Sequence, residues 1–362
     1  SEIFNLMEVL YVTRRSITSG AAQAKQIYEM AREFNNQLKS KFKIFCTGKK
    51  DKYPFNVKFI NTNFAYQHLQ ILWILINNRH KVIFTRDIAV SFFCYVLRMH
   101  CCLEIHDKPR TFYSKLLCKL ICKSKLVKMV AITSRLKEHL VKKYSLNEDL
   151  CIVAHSAANV SKYMALDSNA KNLIKMKLKI PKNKLIICHT GSLYKGGSEY
   201  FRVILKELQD KGIFIQVGGS EKEVNKLKRG FNDLGLSNYI CVPQVSSKKS
   251  RLYQMSADAL FFVSTENSKI HEFTSPLKIF EYMATNIPII GCIDGGADEI
   301  LNQANCITYS LHVKDSLKNA LRNFINRPAS FKEKTNKAFK EINNNYTYEK
   351  RVFKILNFIT LS

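Results

Sequence analysis

The chain has 362 residues, 46% of them hydrophobic, and a formal net charge of +28. This length and composition predict a folded protein with two domains of ordinary size, and they exclude a disordered chain. The longest apolar run, LQILWILI from residue 69, is too short to span a bilayer, and the first residues do not form a signal peptide pattern.

Basic residues and cysteines narrow the partners and the compartment. The positive charge favours anionic partners, which include lipid headgroups, nucleic acid and phosphorylated substrates. The 11 cysteines are scattered and form no Cys-x-x-Cys pair. This pattern predicts free thiols in a reducing cytoplasm, with a zinc site as the alternative.

Short apolar runs alternate with helical patterns from the start of the chain. MEVLYVT predicts a strand, RRSITSGAA a loop that contains Gly20, and AQAKQIYEMAREFNNQL a helix. Further strands are predicted at KFKIFCT, VKFIN, KVIFTR, CCLEIHD, MVAITS and LCIVAHS, with a helix at AYQHLQILWILINNR. Strands that alternate with helices indicate a mostly parallel sheet covered on both faces.

A second alternating series follows a charged break. We place the domain boundary at KLKIPKNK (177–184), where charge rises and Pro181 breaks any helix. Beyond it, LIICHTG, IFIQVGG, YICVP, ALFFVS and PIIGC predict strands, and the helix SEYFRVILKELQDKG is expected to end at Gly212. The sequence therefore predicts an α/β domain over 1–176, a second over 177–345, and a last helix over 346–362.

The segment TSPLKIFEYMATNIPII (274–290) carries the most specific chemistry. Ser275 suits a helix N-cap and Pro276 the first helical position, which leaves backbone N–H groups ready to bind an anion. Lys278 adds positive charge for phosphate, and Glu281 could accept two hydrogen bonds from a ribose diol. Together they indicate a nucleotide diphosphate site, although a capped helix with an exposed Lys–Glu pair is the alternative interpretation.

This segment resembles the donor-site segment of the family 4 glycosyltransferases, which have the two-domain GT-B fold. The family form is Glu, seven residues, Glu, and Glu281 matches the second glutamate. Phe273 stands at the first position, with Glu272 beside it. Either Glu272 substitutes for the first carboxylate after a local shift, or that carboxylate is missing, as in members with an SPxK version.

Other segments extend the resemblance over most of the chain. HTGSLYKGG (189–197), FIQVGGS (214–220), DGGADEI (294–300), SGAAQ, FTRD, EIHD and AITSRLKEHL are similar to family landmarks, and VPQVSSKKSRLYQMSADALFFVS is similar to the segment with base contacts. The resemblance implies donor-binding roles for Gly20, Gly191, Ser192, Lys195, Gly218, Val242, Val245, Ser275, Pro276, Leu277, Lys278 and Glu281. It implies catalytic roles for His106 and Glu272, and acceptor or cleft roles for Arg86, Glu104 and His155.

The family implies GT-B architecture, with two Rossmann-like domains whose parallel sheets face each other across a cleft and a C-terminal helix that packs back on the first domain. It also implies transfer of a sugar from a UDP- or GDP-sugar to a hydroxyl, with retention and without a cofactor or a metal. The expected acceptor is a lipid-linked or polysaccharide chain in cell-surface glycan or lipopolysaccharide synthesis. The enzyme itself is expected in the cytoplasm, as a peripheral protein on the inner face of a membrane.

A basic helical stretch supports a membrane partner. Residues 108–143 contain 11 Lys and Arg and one acid, Glu138. Within this stretch, Lys115, Lys119 and Lys123 form a stripe beside Leu116, Leu117, Leu120 and Ile121, as in a helix that docks on anionic lipid. An ordinary basic surface helix is the alternative.

Two other functions remain as alternatives. One is nucleic-acid binding, because of the charge, although the sequence contains no zinc-finger spacing or aromatic-rich RNA motif, and we expect no nucleic-acid partner. The other is a catalytically idle, partner-binding relative, because of the altered first glutamate.

Overall fold

The computed structural model describes residues 7–18, 22–163, 167–193, 198–263 and 271–360. The chain divides into two compact units. The first contains residues 1–156, Phe273–Ser275 and Tyr348–Ser362, and the second contains Ala157–Glu272 and Pro276–Thr347. The division after Ser156 comes earlier than the predicted boundary at 176.

The first unit is built on one parallel sheet. Its strands are β1 (Val9–Ser16), β2 (Phe42–Thr47), β3 (Val57–Phe59), β4 (Val82–Thr85), β5 (Cys101–Ile105), β6 (Val127–Ala131) and β7 (Cys151–Val153). Its helices before residue 156 are α1 (Ala22–Leu38), α2 (Phe64–Ile76), α3 (Ile88–Val96), α4 (Phe112–Ile121) and α5 (Ser134–Tyr144). The strand order is β3-β2-β1-β4-β5-β6-β7, and every pair is parallel.

The second unit repeats this plan with six strands. They are β8 (Leu185–Thr190), β9 (Gly212–Val217), β10 (Tyr239–Val242), β11 (Ala259–Phe262), β12 (Ile289–Cys292) and β13 (Ile307–Tyr309), in the order β10-β9-β8-β11-β12-β13. The helices are α6 (Ser168–Lys177), α7 (Ser198–Leu208), α8 (Glu221–Asn232), α9 (Ser247–Ser256), α10 (Leu277–Ala284), α11 (Ser316–Asn326) and α12 (Lys332–Asn345). All strand pairs are parallel. This confirms the predicted class of two α/β domains with parallel sheets.

Apolar patterning accounts for the elements that the sequence predicts well, and one predicted helix end is wrong. Helix α1 has the predicted bounds because its apolar residues recur at helical spacing and are buried. Helix α7 ends at Leu208 and not at Gly212, because Gln209 adopts a left-handed φ of 46° and stops the helix. Gly212 instead begins β9, where a Cβ would lie 2.6 Å from the Leu185 carbonyl oxygen.

The last helix, α13 (Tyr348–Thr360), belongs to the first unit, as predicted. Arg351 anchors it there, since its side chain is buried and donates to Glu104 Oε2 at 2.8 Å and to the His155 carbonyl at 2.7 Å. Burial alone would raise the pKa of Glu104, but Arg351, His106 and Arg86 hold that pKa well below its usual value of 4.5. A buried ionised carboxylate therefore fastens the end of the chain to β5.

The substitution Glu104→Gln should destabilise the first unit by about 3–5 kcal/mol, because it leaves Arg351 buried without its counter-charge. Chemical unfolding followed by circular dichroism would measure this loss. The matched control is Glu138→Gln, whose partner Lys142 is exposed, and it should cost less than ~1 kcal/mol. Equal effects for the two variants would contradict a structural role for the buried pair.

The same pair should make stability depend on acid pH. Because the folded-state pKa of Glu104 is lowered, its contribution is complete above the unfolded value of 4.5 and is lost as pH falls below it. Glu104→Gln should therefore remove part of the acid destabilisation seen in the wild-type chain. A free energy of unfolding that falls equally steeply with acid in both proteins would argue against this assignment.

Candidate functional site

In the second sheet, the order in which the chain adds strands reverses at β8. From β8 the chain proceeds to β9 and β10 on one side, while β11, β12 and β13 lie on the other. Parallel sheets bind ligands at the carboxyl ends of the strands where the order reverses, here between β8 and β11. Gly191 directly follows β8, and α10 follows β11, so the predicted donor segment lies at this point.

Two glycines let the backbone approach closely at this edge. Gly191 has a φ of 150°, and a Cβ there would lie 2.9 Å from Lys278 Cε. Gly218 follows β9 with a φ of 121°, and a Cβ there would lie 2.8 Å from the Gly191 carbonyl carbon. Both positions exclude a side chain because protein atoms already lie there, so the two glycines let Lys278 and the backbone of this edge pack closely together.

Lys278 lies in the first turn of α10 and is fixed by β8. Its Nζ is 2.9 Å from His189 Nε2, and His189 Nδ1 is 2.5 Å from Gln216 Oε1 on β9. Gln216 Nε2 in turn donates to the Gly191 carbonyl at 3.0 Å. Burial, followed by the Lys278 charge, lowers the pKa of His189 well below its usual value, so the ring is neutral.

A second tie holds α10 one turn later. The buried Tyr282 hydroxyl accepts from the Thr190 N–H at 2.9 Å, and Gln254 Nε2 donates to Thr190 Oγ1 at 2.9 Å. Burial raises the pKa of Tyr282, so the phenol keeps its proton. Consecutive residues of β8, His189 and Thr190, therefore hold Lys278 and Tyr282, which lie on one face of α10.

The predicted cap of α10 is wrong. The helix begins at Leu277, Pro276 occupies the cap position without a side-chain hydrogen bond, and its ψ of 118° is extended. The Ser275 hydroxyl instead accepts from the Ser156 N–H at 2.9 Å, within the first unit. Leu277 and Glu281 are half-buried in the second unit.

Of the two residues at the altered glutamate position, the apolar Phe273 is buried and the charged Glu272 is exposed. Phe273 is buried in the core of the first unit, with its ring centroid 5.3 Å from that of His139. Glu272 is exposed and belongs to the second unit. The apolar replacement is therefore a core residue, and the neighbouring carboxylate keeps its contact with solvent.

The remaining predicted donor residues have diverse placements. Ser192 is exposed, and Val242 and Val245 pack against the core of the second unit. The Val242 carbonyl accepts from the Gly218 N–H at 2.9 Å, so this main-chain atom supports the glycine. Gly20 and Lys195 lie outside the described residues.

The first unit brings three predicted residues together at the carboxyl ends of β4 and β5. In this sheet the strand order reverses between β1 and the neighbouring β4. Arg86 Nε lies 3.3 Å from Glu104 Oε1, and Arg86 Nη2 donates to Gln26 Oε1 at 2.8 Å. His106 Nε2 contacts Glu104, and its Nδ1 is 3.0 Å from Arg86 Nη2. Burial, then the Arg86 charge, lowers the pKa of His106, so the ring is neutral. Both of its nitrogens have a partner in this state.

His155 also has contacts within the first unit. Its Nδ1 donates to the Ile132 carbonyl at 3.0 Å, and its own carbonyl accepts from Arg351. These contacts fix the chain after β7.

His189, Gln216 and Tyr282 were not predicted as site residues. The available signal was a polar side chain within an apolar strand, as in LIICHT and FIQV, because such a group needs a partner when buried.

Comparisons with known proteins give a family match for part of the chain. Residues 170–345 match the family model described as glycosyl transferases group 1. No curated protein matches the sequence at a significant level.

Solved structures share the fold over nearly the full chain. A glycosyltransferase from Rickettsia africae has a TM-score of 0.78 and 17% identity, and 98% of each chain is covered. Anabaena Alr3699/HepE in complex with UDP and glucose has a TM-score of 0.76 and 12% identity, covering 98% of this chain and 100% of the other. WaaG, a glycosyltransferase involved in lipopolysaccharide biosynthesis, has a TM-score of 0.69 and 12% identity, with the same coverage.

These similarities show the GT-B fold of glycosyltransferases, in agreement with the fold class predicted from the sequence. The match over residues 170–345 includes β8 to β13 and the whole of α10. Residues 170–345 are therefore similar to a glycosyl transferases group 1 domain, within a chain that has the GT-B fold of glycosyltransferases.

Proposed function

We propose that this enzyme transfers a sugar from a UDP- or GDP-sugar to a hydroxyl, with retention of anomeric configuration. The observation that carries the proposal is the position of Lys278, whose ammonium lies beside the Gly191 backbone at the carboxyl end of β8. An ammonium fixed at the carboxyl end of a central parallel strand suits a diphosphate, which is the leaving group of such a donor. UDP is bound in the similar Anabaena structure, which supports the nucleotide.

The chemistry requires stabilisation of the charge that develops on the leaving diphosphate. A fixed ammonium performs this task without reorganisation, because its position is set before the donor binds. We propose that Lys278 contributes this charge, that Glu281 binds the ribose diol one turn further along α10, and that no metal is needed. In agreement with the family resemblance, we propose front-face attack by the acceptor, which needs no nucleophilic carboxylate.

We also propose that the acceptor is lipid-linked and that the enzyme works at an anionic membrane surface. Among the described residues, no helix is long and apolar enough to cross a membrane. Helix α3 packs against both α2 and α4, and these three helices carry nine of the fourteen exposed large hydrophobic residues of the described chain. The nine are Phe64, Tyr66, Leu69, Trp73, Ile76, Val96, Phe112, Tyr113 and Leu116.

This apolar face of α2, α3 and α4 differs from the helix surface predicted from the sequence. Leu117 and Ile121 of α4 are buried in the core, whereas Lys115, Lys119 and Lys123 are exposed beside Phe112, which is 84% exposed. Aromatic and aliphatic side chains next to lysines are typical of interfacial binding.

Its charge supports an anionic partner. Residues 61–125 contain three acids, of which Asp87 pairs with Arg14, Asp107 pairs with Arg110, and Glu104 is buried. The segments after α2, α3 and α4 carry exposed Arg79, Arg98 and Lys125. These segments all lead into parallel strands, so they lie at one edge of the sheet. Anionic lipid satisfies both the apolar face and this basic edge.

Lys278→Ala should weaken binding of the nucleoside diphosphate by roughly tenfold to a hundredfold, as expected for loss of a charged hydrogen bond. Calorimetric titration with UDP and with GDP would measure it and identify the base. Lys226→Ala on the exposed face of α8 is the control and should bind as the wild type does. Equal affinity of Lys278→Ala and wild type would exclude the proposed phosphate contact, and competition by RNA would favour nucleic-acid binding.

Glu281→Gln tests the ribose contact. If the carboxylate accepts from both ribose hydroxyls, the wild-type chain should prefer UDP over 2′,3′-dideoxy-UDP, and the amide should reduce that preference about tenfold. The ratio of the two dissociation constants is the measurement, taken with the guanine pair if GDP is preferred. Glu221→Gln at the start of α8 serves as the control. An unchanged ratio in Glu281→Gln would place the ribose elsewhere.

The single tryptophan of the chain, Trp73, is 66% exposed on α2 and provides a test of docking. Its fluorescence should shift to the blue with vesicles that contain phosphatidylglycerol, and salt should weaken the effect. The triple change of Lys115, Lys119 and Lys123 to Glu should abolish binding, whereas Leu234→Ser on the second unit should not. No shift with anionic vesicles at low salt would refute membrane docking.

A further inference from the structure

His189 is a buried polar residue that the predicted donor motif does not include. It lies near the end of β8, with 2% of its surface exposed. Its ring centroid is 5.1 Å from that of Phe201 and 6.4 Å from that of Phe261, both buried in the same core. A phenylalanine would fill this place without the cost of burying two polar nitrogens, so the imidazole requires a polar explanation.

The hydrogen bonds around His189 define one protonation state. Gln216 donates from Nε2 to the Gly191 carbonyl, so its Oε1 is the atom that faces His189 and can only accept. His189 Nδ1 must therefore carry the proton. The ammonium of Lys278 can only donate, which makes His189 Nε2 the acceptor at 2.9 Å. Each donor in this chain of contacts meets an acceptor.

From this arrangement we propose that His189 and Gln216 are positioning residues for the diphosphate site. His189 directs the Lys278 ammonium toward the Gly191 backbone, and Gln216 sets the tautomer of His189 while holding the Gly191 carbonyl. Neither residue touches the ligand. The inference rests on the proposed function, because it assigns the means by which Lys278 is held ready for the donor.

The position of Gly191 explains why such a device is needed. Its backbone and the lysine side chain are so close that a Cβ on residue 191 would collide with Lys278. A lysine side chain has four rotatable bonds and many rotamers, and holding it in one of them has an entropic cost when the ligand binds. An acceptor fixed within the protein meets that cost during folding, so the ligand finds the charge already in place.

Three variants test the proposal. His189→Phe keeps the ring volume and removes both nitrogens, whereas His189→Gln keeps an acceptor in reach of Lys278. Phe201→Leu disturbs the same core without touching the lysine. For each variant, titration would give the dissociation constants of the nucleoside diphosphate and of the nucleoside that lacks phosphate, together with the melting temperature.

We expect His189→Phe to weaken binding of the nucleoside diphosphate about tenfold or more and to leave the affinity for the nucleoside unchanged, because only the phosphate contact is lost. His189→Gln should restore part of the affinity. Phe201→Leu should lower the melting temperature while the ratio of the two constants stays the same. In a Lys278→Ala background, His189→Phe should have little further effect, since both changes remove one device. Equal weakening of both ligands, or full additivity with Lys278→Ala, would overturn the proposal.

A ligand-free measurement separates this proposal from the proposed function. Nitrogen-15 NMR, with the His189 signal assigned by its loss in His189→Phe, should show that this ring carries its proton on Nδ1, and Lys278→Ala should raise the pKa of His189, because the lysine charge lowers it. A proton on Nε2 of His189 would refute the positioning role of His189 and Gln216, whatever the chain binds. Absence of nucleotide binding by the wild-type chain, with the Nδ1 proton present, would refute the proposed function and leave the positioning of Lys278 by His189 supported.

Discussion

The attachment of α10 to β8 is the constraint on which the proposed donor site depends. His189 and Thr190 adjoin in the strand, and their partners Lys278 and Tyr282 lie four residues apart on the helix. A slip of one helical turn would move these groups by about 5.4 Å and break both ties. Because all four groups are polar and largely enclosed, such a slip would also leave donors and acceptors without partners. The register of α10, and with it the place of Lys278, is therefore set by hydrogen bonding as well as by apolar packing.

The first unit uses the same principle with full charges. Glu104 is the second-last residue of β5 and contacts Arg86 and His106, and Arg351 of α13 pairs with it. One carboxylate thus joins the carboxyl end of the sheet to the last helix of the chain. Both units place their polar networks beyond the carboxyl ends of central strands, where backbone groups of the sheet run out and side chains can converge. Apolar packing has little directional preference, so these hydrogen-bonded networks set the positions of side chains that packing alone would leave variable.

Local periodicity was sufficient to predict the alternation of strands and helices, the two parallel sheets and the bounds of α1. It failed where a single backbone conformation decides the outcome, as at Gln209, which ends α7 before the expected glycine. The donor segment was predicted from Lys278 and Glu281 and stays a prediction, and its predicted cap was wrong, because the Ser275 hydroxyl accepts from the distant Ser156. Contacts between residues far apart in the sequence, such as Gln216 with His189, leave only a weak trace in a single chain, namely a polar letter within an apolar run.

The replacement at the altered glutamate position follows from the same balance between polarity and burial. Phe273 packs with His139, and the Lys108 ammonium lies 5.2 Å from its ring centroid. A carboxylate in this apolar core would lose its hydration, and a nearby lysine would repay that loss only with good geometry. The phenyl ring instead gains burial and a cation–π contact. A sugar contact supplied by this segment would thus have to come from the exposed Glu272, while in the proposed mechanism the charge that stabilises the leaving diphosphate belongs to Lys278, which β8 holds in place.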